Sequence, residues 1–159
     1  MTVLSFGVYF HIPYCFSRCR YCDFYAAGAS RAVPDAYVDA LLGALAGFSA
    51  ALPGPPDTVY FGGGTPSLLT PAQVERLLAA AAPRPGAEVT LEANPETVTP
   101  GQLQGYRAAG VNRLSIGVQS ARDTQLRTLG RPHTARQAAA AFEMARQAGF
   151  ANISGDIML

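Results

Sequence analysis

Tyr9-Phe10-His11-Ile12-Pro13-Tyr14-Cys15-Phe16-Ser17-Arg18-Cys19-Arg20-Tyr21-Cys22-Asp23-Phe24 holds every cysteine of the chain, in the spacing C-x3-C-x2-C. An odd count and such short loops exclude a disulfide framework. Three neighbouring thiolates suit a metal centre. They are one short of the four cysteines that usually close a [4Fe–4S] cluster, so one iron would stay open to another ligand. Two plainer readings stand beside this one. His11 could complete a zinc site in the pattern H-x3-C-x3-C-x2-C, although structural zinc sites usually pair ligands as C-x-x-C knuckles in two arms. Alternatively, the three are free cysteines buried in a core. Arg18 and Arg20, inside the loop, read as solvated surface charge or as partners for a cluster's negative charge.

Outward from this loop the chain alternates apolar runs with helical patterns. Gly7-Val8-Tyr9-Phe10-His11, stopped by Ile12-Pro13, reads as a buried strand. Residues 31–34 break the chain, with Pro34 suited to a helix's first turn. From Asp35, apolar residues at Tyr37, Val38, Leu41, Leu42, Leu45 and Phe48 form a helical stripe. Thr58-Val59-Tyr60-Phe61 is a second strand, Glu88-Val89-Thr90-Leu91-Glu92 a third, Leu114-Ser115-Ile116-Gly117-Val118 a fourth, and residues 153–159 a fifth. Thr70-Pro71-Ala72-Gln73 has the chemistry of a capping box, repeated as Thr99-x-x-Gln102 and Thr134-x-x-Gln137. Arg107-Ala108-Ala109-Gly110-Val111 resembles Arg146-Gln147-Ala148-Gly149-Phe150, each placing Gly where a helix ends in a left-handed residue.

Strands alternating with helices predict an α/β fold with a parallel sheet and right-handed crossovers. Nearly every chemically informative residue follows a strand end. That points to part of a TIM-like (β/α) barrel, whose chemistry lies at the C-terminal face. The chain reaches Asp156-Ile157-Met158-Leu159 within or barely past its fifth strand, leaving that edge without a covering helix. The expectation is that residues 1–159 form the N-terminal portion of a core domain, truncated after about five strands. The remaining barrel and a C-terminal domain would be absent.

Composition narrows the classes further. The chain has 159 residues, 49% hydrophobic and 14% charged, which suits a buried globular interior. Its net charge of +1, carried on arginines with no lysine, offers no bulk attraction to nucleic acid or an anionic membrane. The N-terminus lacks a basic leader region, and no apolar run reaches membrane-spanning length. A reducing cytoplasmic location is the expectation, as an iron–sulfur site requires.

The strand ends carry further candidates. Gly62-Gly63-Gly64-Thr65-Pro66-Ser67 would let a ligand approach the backbone, though an ordinary tight loop explains it equally; no Lys-Ser/Thr follows, so it is not a P-loop. Glu92-Ala93-Asn94-Pro95-Glu96 sets a carboxylate at a strand end, as ligand contact or solvated cap. Gln119 ends the fourth strand. Arg131 offers a guanidinium fork able to hold a carboxylate bidentately, against a plain surface arginine. His133 reads as solvent-facing or capping. Asp156, buried in a barrel, would need a partner.

The cysteine spacing after a strand, with an aromatic before the last cysteine, resembles the radical S-adenosylmethionine (SAM) superfamily. The resemblance implies a [4Fe–4S] cluster on Cys15, Cys19 and Cys22, its fourth iron chelated by SAM's amino and carboxylate groups. It also implies reductive cleavage of SAM to methionine and a 5′-deoxyadenosyl radical, and a partial barrel. Tyr9-x-His11-Ile12-Pro13-x-Cys15, Gly62 to Ser67, Glu92-Ala93-Asn94-Pro95, Asn112-Arg113-Leu114-Ser115-Ile116-Gly117-Val118-Gln119-Ser120 and Leu129-Gly130-Arg131-x-His133 are similar to the oxygen-independent coproporphyrinogen III oxidase-like group. On that resemblance Tyr9, Gly63, Gly64, Glu92, Gln119, Arg131, Asp156 and Met158 approach SAM, and Thr65 joins them by position. No residue is assigned as catalytic. The oxidase carries a further cysteine in a Cys-x-Cys pattern, whereas Cys22 is followed by Asp23-Phe24, as in the HemW haem chaperone branch. The expected function is therefore a haem chaperone delivering haem to an acceptor protein, with an electron donor for the cluster. The alternatives are the oxidase, acting on porphyrinogen, and a zinc-stabilised binding domain; whether the protein is an enzyme stays open.

Overall fold

Alternation of apolar and polar residues divides each strand into two faces, and the computed structural model shows what each face does. It describes residues 5–27, 30–48 and 51–158. Met1 to Leu4, where no leader was expected, and Leu159, the expected end of the fifth strand, lie outside the described residues. In chain order the elements are β1 (Gly7–Ile12), α1 (Asp35–Phe48), β2 (Thr58–Gly63), α2 (Pro71–Ala81), β3 (Glu88–Ala93), α3 (Pro100–Ala109), β4 (Arg113–Gln119), α4 (Asp123–Leu129), α5 (Ala135–Gln147) and β5 (Asn152–Ile157). Single 3-10 turns at Pro66–Leu68 and Pro95–Thr97 follow β2 and β3.

The five strands pair in parallel in the order β1-β2-β3-β4-β5. The sheet is open, with β1 and β5 as its edges. Phe10, Ile12, Val59, Phe61, Val89, Leu91, Leu114 and Ile116 point to one face. There they pack with Val38 of α1, Leu77 of α2, Leu103 and Tyr106 of α3, and Ala141 and Ala145 of α5. Each fully buried aliphatic side chain contributes about 1.5–3 kcal/mol. This sheet-on-helix layer is the core.

Local signals explain the boundaries. Thr70 and Thr134 make complete capping boxes, accepting from the Gln73 and Gln137 amides at 3.2 Å. Thr99 accepts from the Gln102 amide at 3.3 Å, but the Gln102 side chain accepts from the Thr99 hydroxyl instead of its N–H, so that box is half closed. Pro34 sits just before α1, its carbonyl accepting from the Tyr37 amide at 3.0 Å. Gly110 and Gly149 take left-handed φ values of 113° and 90°, as the repeat implied. Val111 and Phe150 after them are buried. Phe48 departs from its expected stripe: it is 66% exposed. α4 was not anticipated, because a seven-residue helix with one buried side chain, Leu126, has no stripe to read.

Candidate functional site

The strand ends converge on a cavity of about 290 Å³. Cys15, Cys19 and Cys22 line it from the loop after β1. Gly63, Gly64 and Thr65 line it from the end of β2, and Glu92 from the end of β3. Gln119, Arg131 and Asp156 complete it from β4, the segment after α4, and β5. Two expected residues stand apart. Tyr9 does not line the cavity, although it lies on the sheet face that carries Tyr60 and Glu92: it is 56% exposed, stacked on Tyr60 with its hydroxyl 3.3 Å from His11 Nδ1. Met158 is exposed past β5, its amide donating to the Gln119 carbonyl at 3.0 Å.

The cysteine loop is seated by backbone contacts. The Gly64 amide donates to Ile12 O at 2.8 Å, and the Arg20 amide to Leu129 O at 3.0 Å. Gly64 also makes room for the loop: a Cβ there would meet Tyr14 O at 2.6 Å and Cys15 Sγ at 2.8 Å. Below it the buried Tyr106 phenol shares its proton between Ser67 O, at 3.0 Å, and Leu69 O, anchoring the glycine turn to α3. Glu92 accepts from the Tyr60 hydroxyl at 2.7 Å and from the Gly63 amide at 3.2 Å, which fixes its carboxylate at the cavity wall. Asp156 is exposed at the edge of the open sheet. Its partner is Ser115, whose hydroxyl faces both carboxylate oxygens at 3.0 and 3.2 Å.

Arg131 is buried, not a surface arginine, at 8% exposure. Nη2 donates to Asn94 Oδ1 and to Gly117 O, both at 2.7 Å, and Nη1 to Cys19 Sγ at 3.3 Å. Nη2 thus has both hydrogens engaged, so the expected free bidentate fork is not what the site offers. Nε is buried and has no acceptor among the described residues. Only a glycine at 117 permits this packing, since a Cβ there would lie 2.8 Å from Arg131 Nη2. Asn94, whose Nδ2 also donates to Thr65 Oγ1 at 3.1 Å, had been read only as part of a motif. Its role depends on a residue 37 positions away, so no local pattern announces it. His133, expected at the surface, is also buried: its Nδ1 lies 3.2 Å from Glu96 and its Nε2 3.0 Å from Val118 O.

The electrostatics favour a cationic centre. Burial pushes the Cys15 thiol up; the Thr65 hydroxyl pulls it down, Cys22 and Cys19 push it up again, and Arg131 lowers it. Gathering three thiolates is thus opposed by desolvation and mutual repulsion, and bound metal relieves both. The Tyr21 phenol is pushed up to about 12, chiefly by burial, and stays neutral. Arg131 stays charged: burial opposes its charge, but Cys19, Glu96 and Tyr21 outweigh it. Among the described residues no three His, Cys, Asp or Glu side chains converge as a single ion would require. The His11 ring is packed instead against Gly63, where an added Cβ would meet it at 2.8 Å. The donor set fits a polynuclear centre: three sulfurs on one cavity, the Gly63-Gly64 backbone packed against the loop that carries them, and the cationic Arg131 donating to Cys19 Sγ. No helix among the described residues is long and apolar enough to cross a membrane.

Comparison with known proteins agrees with this arrangement. The Radical SAM superfamily matches residues 9–159. The chain is 41% identical over 158 residues to the heme chaperone HemW of Escherichia coli (strain K12), covering 96% of this chain and 42% of that protein. It is 42% identical over 161 residues to HemW of Mycobacterium tuberculosis (strain ATCC 25618 / H37Rv), covering 96% and 41%. Among solved structures, HemN, the coproporphyrinogen III oxidase of Escherichia coli described as a radical SAM enzyme, superposes with a TM-score of 0.86 at 28% identity. That match covers 96% of this chain and 37% of HemN. The chain thus spans about two fifths of the length of the curated relatives it matches. Its five parallel strands and flanking helices are an unclosed N-terminal portion of the TIM-like barrel of that group. The chain belongs to the radical SAM superfamily.

Proposed function

We propose that Cys15, Cys19 and Cys22 hold a [4Fe–4S] cluster and that SAM occupies the rest of the cavity, in a protein that acts as a HemW-like haem chaperone. The observation that carries the cofactor assignment is the convergence of the three cysteines, the Gly63-Gly64 backbone and the buried, charged Arg131 on one cavity. The chaperone assignment is supported by the HemW relatives and by Asp23-Phe24 after Cys22, where the oxidase resemblance calls for another cysteine. On this reading residues 1–159 are the N-terminal portion of a core domain. The acceptor of haem and the source of electrons belong to the whole protein.

The roles of the chain's own residues follow from their geometry. Gly64 seats the cysteine loop, and Gly63 and Thr65 line the approach to the cofactor. Arg131 sets its guanidinium charge at the cavity wall, complementary to a negatively charged group of the ligand. Glu92, already held by Tyr60 and Gly63, and Asp156, held by Ser115, accept from hydroxyl or amino groups. Gln119 offers an amide at the end of β4. Tyr9 and Met158 join only if the ligand extends beyond the cavity. When bound, the cluster supplies the electron that cleaves SAM.

The test is anaerobic reconstitution with iron and sulfide, followed by electron paramagnetic resonance of the reduced protein with and without SAM. A [4Fe–4S] signal altered by SAM is expected. Zinc without iron after the same preparation would overturn the assignment. A second reading, the oxidase, is favoured by the superposition on HemN. Turnover of coproporphyrinogen III under anaerobic reduction by the natural protein carrying this sequence would establish it and remove the chaperone-only reading.

A further inference from the structure

Behind the cavity lies a polar cluster that the cofactor reading leaves unused. The His133 side chain has no exposure and that of Glu96 has 10%. His133 Nε2 lies 3.0 Å from Val118 O. A carbonyl only accepts, so Nε2 carries a hydrogen. Nδ1 lies 3.2 Å from Glu96 Oε2. One further proton therefore sits between ring and carboxylate; without it, two lone pairs would face each other in a buried space.

Two residues earlier, Arg131 Nη2 donates to Gly117 O at 2.7 Å. Arg131 and His133 thus hold consecutive carbonyls of β4, and Pro132 between them stiffens the segment. The same stretch of β4 contains the register shift between Gly117 and Gln119 against β5. Gln119 then adopts φ 63°, a left-handed conformation uncommon outside glycine. An unusual backbone persists only where its surroundings over-determine it. Here the surroundings are the Arg131-Pro132-His133 strap, and the strap is tied down by Glu96 from the turn after β3.

We infer that the Glu96–His133 pair is a positioning device: it clamps the strap to the end of β4, and so holds both Arg131 and Gln119 at the cavity. His133 and Glu96 act through those two residues and are not in contact with the cofactor. The inference rests on the cofactor reading above, and its test separates the two.

The natural protein carrying this sequence is reconstituted and compared with His133→Ala, His133→Gln, Glu96→Gln and Leu103→Ala. Leu103 is 1% exposed on α3, away from the cavity, and its truncation controls for simple loss of stability. SAM affinity is read from titration of the paramagnetic signal, alongside iron content and melting temperature. His133→Ala is expected to keep its iron and lose about tenfold in SAM affinity, as removal of one buried hydrogen-bonded link predicts. His133→Gln, which retains a donor toward Val118 O, and Glu96→Gln, which retains a partner for Nδ1, should recover most of that loss. Leu103→Ala should lower the melting temperature without changing SAM affinity. Parental affinity in His133→Ala, or equal loss in Leu103→Ala, overturns the inference. If the parent protein itself ignores SAM, the cofactor reading fails instead, and the clamp is read from hydrogen exchange. Faster exchange of the amides of residues 117–120 in His133→Ala than in Leu103→Ala supports it, and equal exchange refutes it.

Discussion

Gly64→Ala should separate the cysteine loop from the turn that seats it. The added Cβ would lie 2.6 Å from Tyr14 O, 2.8 Å from Cys15 Sγ and 3.0 Å from Ile12 O. Two of these are backbone atoms, so no rotamer change relieves the overlap. Nor can residue 64 easily swing away, because its amide donates to Ile12 O at 2.8 Å. The loop bearing Cys15 must therefore shift by several tenths of an ångström. Overpacking of this kind costs about 1–3 kcal/mol. At about 2 kcal/mol the population of correctly placed loop falls roughly thirtyfold, and the apparent affinity for the cluster falls with it. The core beneath, from Phe61 and Leu69 to Tyr106, is untouched, so secondary structure should persist. The assay is iron and sulfide per chain after anaerobic reconstitution, with circular dichroism as the folding control. A folded Gly64→Ala protein with the parent's cluster content and the parent's response to SAM would refute the seating argument.

Three further predictions use other parts of the structure. Cys19→Ala, like Cys15→Ala or Cys22→Ala, should abolish cluster assembly, because two thiolates are a poor hold; a Cys19→Ala protein with full brown absorbance would refute the ligand assignment. Arg131→Ala should spare the cluster and weaken SAM by about 2 kcal/mol, roughly thirtyfold, for one lost charge-assisted contact; unchanged affinity in a SAM titration would remove Arg131 from the site. Asp57 accepts from the Phe6 amide at 2.8 Å and pairs with Arg84 at 2.6 Å, and hydrogen bonds from Ser5 and Phe6, then Arg84's charge, hold its carboxyl below the usual aspartate range. A depressed folded value means a contribution present above the unfolded value and lost as pH falls through the folded one. The parent chain's thermal stability should therefore decline below about pH 4, and more steeply than that of Asp57→Asn; parallel declines would refute it.

What could be read in the sequence was what local chemistry determines. Thr70-Pro71-Ala72-Gln73 announces a helix start because both halves of its capping box lie within four residues. Gly110 and Gly149 announce helix ends because left-handed backbone favours glycine. β1 to β4 run one or two residues further than expected, as β2 does into Gly62 and Gly63, because strand pairing does not stop at the last apolar side chain, whereas β5 ends at Ile157, before Met158. The cysteine spacing and the glycine turn located the cavity. The rest depends on contacts between distant residues. Nothing near Arg131 states that Asn94 and Gly117 consume its Nη2 donors, and nothing near His133 states that Glu96 waits for it. A histidine in a loop ordinarily faces solvent; this one is buried because two strand ends and one strap enclose it.

The two faces of the sheet also settle where the chain's stability resides. Away from the helices, the strands present Tyr60, Thr90, Glu92, Arg113, Ser115, Ser154 and Asp156, linked across strands rather than packed. Tyr60 donates to Glu92, Arg113 donates to Thr90 and Ser154, and Ser115 to Asp156. A barrel closed around such a face would have a polar lumen, unlike the layered apolar filling common in (β/α)8 barrels. The apolar core lies wholly between the sheet and α1, α2, α3 and α5. Closure of a barrel therefore adds little to the hydrophobic term, and β1 to β4 draw their stability from helices already present in the chain. β5 is the exception: Asp156 and Ile157 are exposed, and Ile153 alone packs against the core from that strand. Local opening should therefore begin at β5. The Asp156 carboxylate and the backbone under Gln119 would loosen first, while the cysteine loop, seated on β1 and β2, stays ordered. The cysteine end of the cavity is thus built on the stable side of the sheet, and the Gln119–Asp156 end on its less stable side.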